Sequence, residues 1–141
     1  MLVAWALSAL AMAFGALLGV RGLLDPNWAA KLVRLKEDEQ GGGFAEFRAT
    51  YGGVFLGLHV AALYLTIGYL RGGALIAGVM AAGAGFALAT GWGGAAFGRV
   101  VSILRDRGAD TRFNRLSVVV ELAMALLIGA PWALWLLSGE L

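Results

Sequence analysis

The chain has 141 residues, of which 60% are hydrophobic, 14% are charged and none is cysteine. A mean hydropathy of +0.80 lies outside the range of soluble domains. These values exclude a soluble fold, disulfides and thiolate metal sites, and they assign the basic excess to membrane topology rather than to nucleic acid.

The charges are clustered. Residues 1–20 and 72–98 carry none, residues 49–70 carry only the ionisable His59, and residues 116–139 carry only Glu121. A hydrocarbon core about 30 Å thick is crossed by about 20 apolar residues in a helix. Four such runs predict an all-α, single-domain integral membrane four-helix bundle over residues 1–141, with spans at 2–20, 44–70, 74–104 and 115–137. Long continuous runs exclude a β-barrel, whose strands alternate over short segments.

The first span lacks a positive leader segment and is expected to remain as an uncleaved helix. Asp25 followed by Pro26 is a helix start, a capping carboxylate before a proline at the first helical position. Trp28, Leu32 and Leu35 then recur at helical spacing, with Lys31, Arg34 and Lys36 between them. This predicts a short amphipathic interfacial helix over 26–36, its three apolar residues turned to lipid or to the bundle. The run EDEQGGG ends it in a loop.

The second span enters through Glu46 and Arg48, and Arg71-Gly72-Gly73 closes it in a tight turn. The third, about 45 Å long at 1.5 Å per residue, exceeds the membrane's needs, so Gly91-Trp92-Gly93-Gly94 predicts a kink or an extension beyond the bilayer. Pro131 predicts a kink near the end of the fourth. Trp5, Tyr69, Trp132 and Trp135 are expected to form an aromatic belt at one interface. Gly53 with Gly57 and Gly94 with Gly98 are spaced for close helix approach. Each long connection holds five Lys or Arg, the short turn holds Arg71 alone, and the tails hold none. That bias places both long connections in the cytoplasm and both termini outside.

Three segments carry a resemblance: EFRATYGG (residues 46–53), GRVVSILRD (98–106) and Glu121-Leu122. In these the chain resembles the domain-of-unknown-function 4345 family of small four-helix bacterial membrane proteins, over nearly its whole length. The sequence departs from that pattern at Asp106-Arg107-Gly108, where the family more often has Asp-Gly. The resemblance implies a multi-pass protein of the bacterial inner membrane and implies no reaction. In architecture the chain also looks like the DoxX-type four-helix proteins, some of which accompany oxidoreductases; this is an analogy of fold alone.

Helical spacing puts Arg48, Gly52, Phe55 and His59 on one face of the second span. Arg48 reads either as a snorkelling boundary residue or as part of a site. His59 reads as an interhelical hydrogen bond to a backbone carbonyl or hydroxyl, or as part of the same site. One histidine without cysteines makes no haem or metal set, so neither cofactor nor metal is expected. Glu121 is the only carboxylate within a span and must be paired when buried. Arg99 is its first candidate partner and Arg48 its second. Tyr51, Ser102, Asn114, Glu46 and Asp106 fall at the same level, with Glu46 and Asp106 expected to pair with loop arginines.

The expected ligand-binding set is Arg48, Tyr51, His59, Arg99 and Glu121. The leading reading is a binder of a membrane lipid or hydrophobic small molecule, with arginines for an anionic or carbonyl head group. An accessory subunit whose polar cluster only fixes packing stays open, as does a small proton-coupled transporter, although the charge bias speaks against dual topology. A homo-oligomer or larger membrane complex also stays open. An enzyme is least favoured, because no phosphate loop, dinucleotide fingerprint, metal motif or nucleophile elbow is present.

Overall fold

The computed structural model describes residues 1–34 and 42–138. It is all-helical, with five helices: α1 (Leu2–Leu24), α2 (Pro26–Val33), α3 (Gly43–Leu70), α4 (Leu75–Arg105) and α5 (Arg112–Leu137). By length and composition α1, α3, α4 and α5 can each cross a membrane, and they are compatible with a membrane bundle. Only 17% of the apolar window of α3 and 22% of that of α5 are buried, so these helices turn most of their apolar surface outward, as lipid solvation requires.

The helix ends follow local chemistry. The Asp25 carboxylate accepts the Trp28 N–H at 3.0 Å with Pro26 in the first turn, and α2 stops where Arg34 adopts a left-handed φ of 59°. The helix is therefore shorter than the predicted 26–36; Leu35 and Lys36 lie outside the described residues. Asp25→Ala should remove about 1 kcal/mol from this helix, read as faster amide exchange over residues 27–33. The fourth long helix begins at Arg112 rather than 115, because the Thr111 hydroxyl accepts the Asn114 N–H at 3.2 Å. Gly108, at φ +81°, supplies the turn before it, so the Asp106-Arg107-Gly108 departure still places a glycine where a left-handed residue is needed. The third span is one unbroken helix of 31 residues through Gly91–Gly94.

The chain packs as two compact units, Met12–Tyr64 and Met1–Ala11 with Leu65–Leu141. In the first, α1 meets α3 along Gly15, Gly19 and Gly22, which share one face. A methyl on Gly19 would stand 2.6 Å from the Leu56 backbone nitrogen, and one on Gly22 would stand 2.6 Å from the Tyr51 carbonyl oxygen. From the other side, a methyl on Gly52 would stand 2.7 Å from Leu23 Cα. Residues Phe47–Val54 of α3 form a π-helical stretch, the Phe55 N–H reaching back to the Thr50 carbonyl. The predicted glycine faces are not the contact. A methyl on Gly57, Gly94 or Gly98 would meet nothing within 4 Å, and on Gly53 only the Arg48 carbonyl oxygen of its own helix, at 3.6 Å. Gly53 and Gly57 lie about 100° round the helix from the seam residues Gly52 and Leu56.

In α2, Pro26, Ala29 and Ala30 are buried, Ala29 and Ala30 pack with Phe47, Phe44 and Val33, and Leu32 is 43% exposed, which is compatible with apolar residues turned to the bundle or to lipid. Small alanines let the helix sit closely on Phe47. Trp28 is partly buried and lies under the Arg21 guanidinium at 4.6 Å.

In the second unit Trp5 is 6% exposed and packs on Ala81 and Ala82 with Leu65, Tyr69, Trp132 and Trp135. The residues of the expected aromatic belt thus pack on one another and on α4, because its small residues leave room for the rings to turn inward. The Trp5–Tyr69 and Phe86–Trp132 ring centroids are 4.7 and 4.2 Å apart. Ser8, fully buried, donates its hydroxyl to the Ile128 carbonyl at 3.0 Å, one turn before Pro131.

Candidate functional site

The best-built polar arrangement spans α4 and α5. Glu121 is 7% exposed in the middle of an apolar helix, a position that demands a partner. Arg99, at the far end of α4, supplies one. Its Nε donates to both carboxylate oxygens at 3.1 Å, and its Nη2 donates to Oε1 at 2.7 Å. This fork geometry is available to arginine and not to lysine.

Asn114 completes the network. Its Oδ1 accepts from Arg99 Nη1 at 3.3 Å, and its Nδ2 donates to the Ala109 carbonyl at 2.7 Å, tying the pair to the α4–α5 turn. The partners differ in exposure, since the Glu121 side chain is 9% exposed and that of Arg99 33%. A guanidinium has five N–H groups. Three are used here, so two have no acceptor among the described residues.

Arg48, Tyr51 and His59 belong to the Met12–Tyr64 unit. Arg48 is exposed and donates from Nε to the Leu23 carbonyl at 3.3 Å, satisfying one of the orphan acceptors that end α1. Tyr51 is 38% exposed, and its ring lies 5.7 Å from that of Phe47. His59 is fully buried; its Nδ1–H donates to the Phe55 carbonyl at 2.7 Å, its ring stacks on Phe55 at 4.3 Å, and Gly15 makes the space it occupies. This bond goes to the carbonyl one turn back on α3 itself and is not the interhelical bond expected. Of the two partners considered for Glu121, Arg99 makes the ion pair.

The turn between α4 and α5 differs from expectation. Asp106 accepts the Ser102 hydroxyl at 2.6 Å and pairs with no arginine among the described residues, and exposed Glu46 likewise makes no ion pair among them. Arg115 instead holds Asp110 through two contacts of 2.6 Å. Those hydrogen bonds, aided by charge attraction, keep the Asp110 carboxyl below the ordinary carboxylate range. Its contribution is present above that range and fades as pH falls through the lowered value; both groups are exposed, so it is small.

Sequence reasoning placed Asn114 at this level but not as the third member of the network, and it missed Ser8 as a buried donor; a short polar side chain in an apolar run is the only trace Ser8 leaves. Among the described residues no group of three or more His, Cys, Asp or Glu could hold a metal ion. Comparison with protein-family models, curated proteins and solved structures gives no match to this chain.

Proposed function

We propose that the protein binds an amphiphile at the membrane boundary through Arg99, whose guanidinium meets an anionic or carbonyl head group. One observation supports this reading: a buried carboxylate grips Arg99 from behind while a third of its side chain and two N–H donors stay available. Such an arrangement fixes the guanidinium plane before a ligand arrives, which lowers the cost of ordering it on binding. Native mass spectrometry of the protein extracted in a gentle detergent tests the proposal. A retained non-protein mass is expected, and a bare chain under conditions that preserve other membrane protein–lipid complexes would contradict it.

A second reading, an accessory protein whose Arg99–Glu121 pair only clamps α4 to α5, draws on the occupation of both carboxylate oxygens by one arginine. That same occupation weighs against a proton carrier at Glu121, which would need to release its partner at each cycle. The resemblance to the small bacterial four-helix family and the charge bias support an inner-membrane location with both termini outside. Single cysteines at Ser138 and Gly43 should accordingly react with a membrane-impermeant maleimide from opposite sides, Ser138 from the outside. Outside labelling at Gly43 in intact cells would reverse the topology.

A further inference from the structure

The α4–α5 turn has a second feature that the Arg99 site does not use. Residues 105–115 hold four arginines against two aspartates. Arg115 is paired with Asp110, and Asp106 is occupied by Ser102. Arg105, Arg107 and Arg112 are exposed and make no ion pair or side-chain hydrogen bond among the described residues.

Two apolar stripes run up to this cluster. On α4, Phe97, Val101 and Leu104 are 71%, 37% and 78% exposed at helical spacing, and Arg105 follows one turn beyond Val101. On α5, Leu116 and Val119 are 61% and 62% exposed, and Arg112 precedes Leu116 by one turn. Each stripe therefore ends in a cation that makes no ion pair among the described residues. Arg112 also occupies the first residue of α5, the helix end where the macrodipole disfavours a cation. Its placement gains nothing from helix electrostatics.

We propose that the α4–α5 turn is a docking surface for anionic phospholipid, with the phosphate at Arg105, Arg107 and Arg112 and acyl chains along the exposed stripes. Charge complementarity together with the apolar stripes selects this occupant. A zwitterionic lipid offers less net charge to the arginines, and a soluble phosphate leaves the stripes unused. The surface does not depend on a ligand at Arg99.

The test is thermal unfolding of the full chain in a neutral detergent, with phosphatidylglycerol, phosphatidylcholine or glycerol 3-phosphate added at equal concentration. Phosphatidylglycerol should raise the melting temperature by several degrees, because a ligand that binds only the folded state stabilises it. The other two additives should raise it far less. The variant Arg105→Gln with Arg107→Gln and Arg112→Gln should melt near the wild-type temperature without lipid, since these exposed side chains make no ion pair or side-chain hydrogen bond among the described residues, and should lose most of the phosphatidylglycerol increment. Arg99→Leu with Glu121→Leu should keep that increment, which separates this surface from the Arg99 site. Equal shifts with phosphatidylcholine, an equal shift with glycerol 3-phosphate, or a triple variant that retains the increment would overturn the proposal.

Discussion

Arg99→Leu is expected to destabilise the protein more than Glu121→Leu does. The two substitutions break the same contact but strand different partners. Without Arg99, a carboxylate that is 9% exposed remains in an apolar helix. Leaving a buried charge unpaired costs about 3–5 kcal/mol. Without Glu121, the guanidinium is already one-third exposed and its long stem lets it move outward, so about 1–2 kcal/mol is expected. The double substitution should recover most of the loss, because apolar residues of similar size replace a buried pair at little net cost. Thermal or denaturant unfolding of the four proteins in one detergent measures the series. Equal losses for the two single variants would show that exposure does not set the cost.

Gly19→Ala should also be damaging, for a different reason. The added methyl would meet Leu56 backbone atoms at 2.6 and 2.7 Å, and backbone cannot rotate away as a side chain can. The α1–α3 seam would have to open, and overpacking of this kind costs about 1–3 kcal/mol or more. Gly57→Ala and Gly94→Ala are the matched controls. Each methyl would point into open space, and alanine favours the helix by about 0.5–1 kcal/mol over glycine. Both controls should be neutral or stabilising in the same unfolding assay. A destabilised Gly57→Ala with an unaffected Gly19→Ala would exchange the two faces.

These two sites differ in how far the sequence revealed them. Glu121 stands alone in an apolar run, and the cost of a buried charge makes a nearby cation obligatory; the sequence offers Arg99 first and Arg48 second, and the structure makes the pair with Arg99. The four spans are equally legible, since bilayer thickness fixes their length. The glycine seam is not, because 22 glycines offer many pairs at a spacing of four. Which pair meets a neighbour depends on how helices rotate against each other, and the π-helical stretch at Phe47–Val54 alters that rotation locally. The aromatic residues show the same limit. Their inward turn depended on Ala81 and Ala82 leaving room. Asn114 escaped because its role exists only once the turn brings the Ala109 carbonyl within 2.7 Å.

The central claim is that Glu121 holds Arg99 so that the outward N–H groups can receive a head group. Native mass spectrometry tests it most directly when Arg105→Gln, Arg107→Gln and Arg112→Gln are present throughout, so that lipid at the α4–α5 turn does not contribute, and when Arg99→Leu with Glu121→Leu is added to one of two proteins of matching melting temperature. The non-protein mass carried with Arg99 and Glu121 intact should be absent once both are leucine, although the fold is intact. An equally stable protein that lacks the pair and carries the same mass would contradict the claim, and would leave the pair as a clamp between α4 and α5.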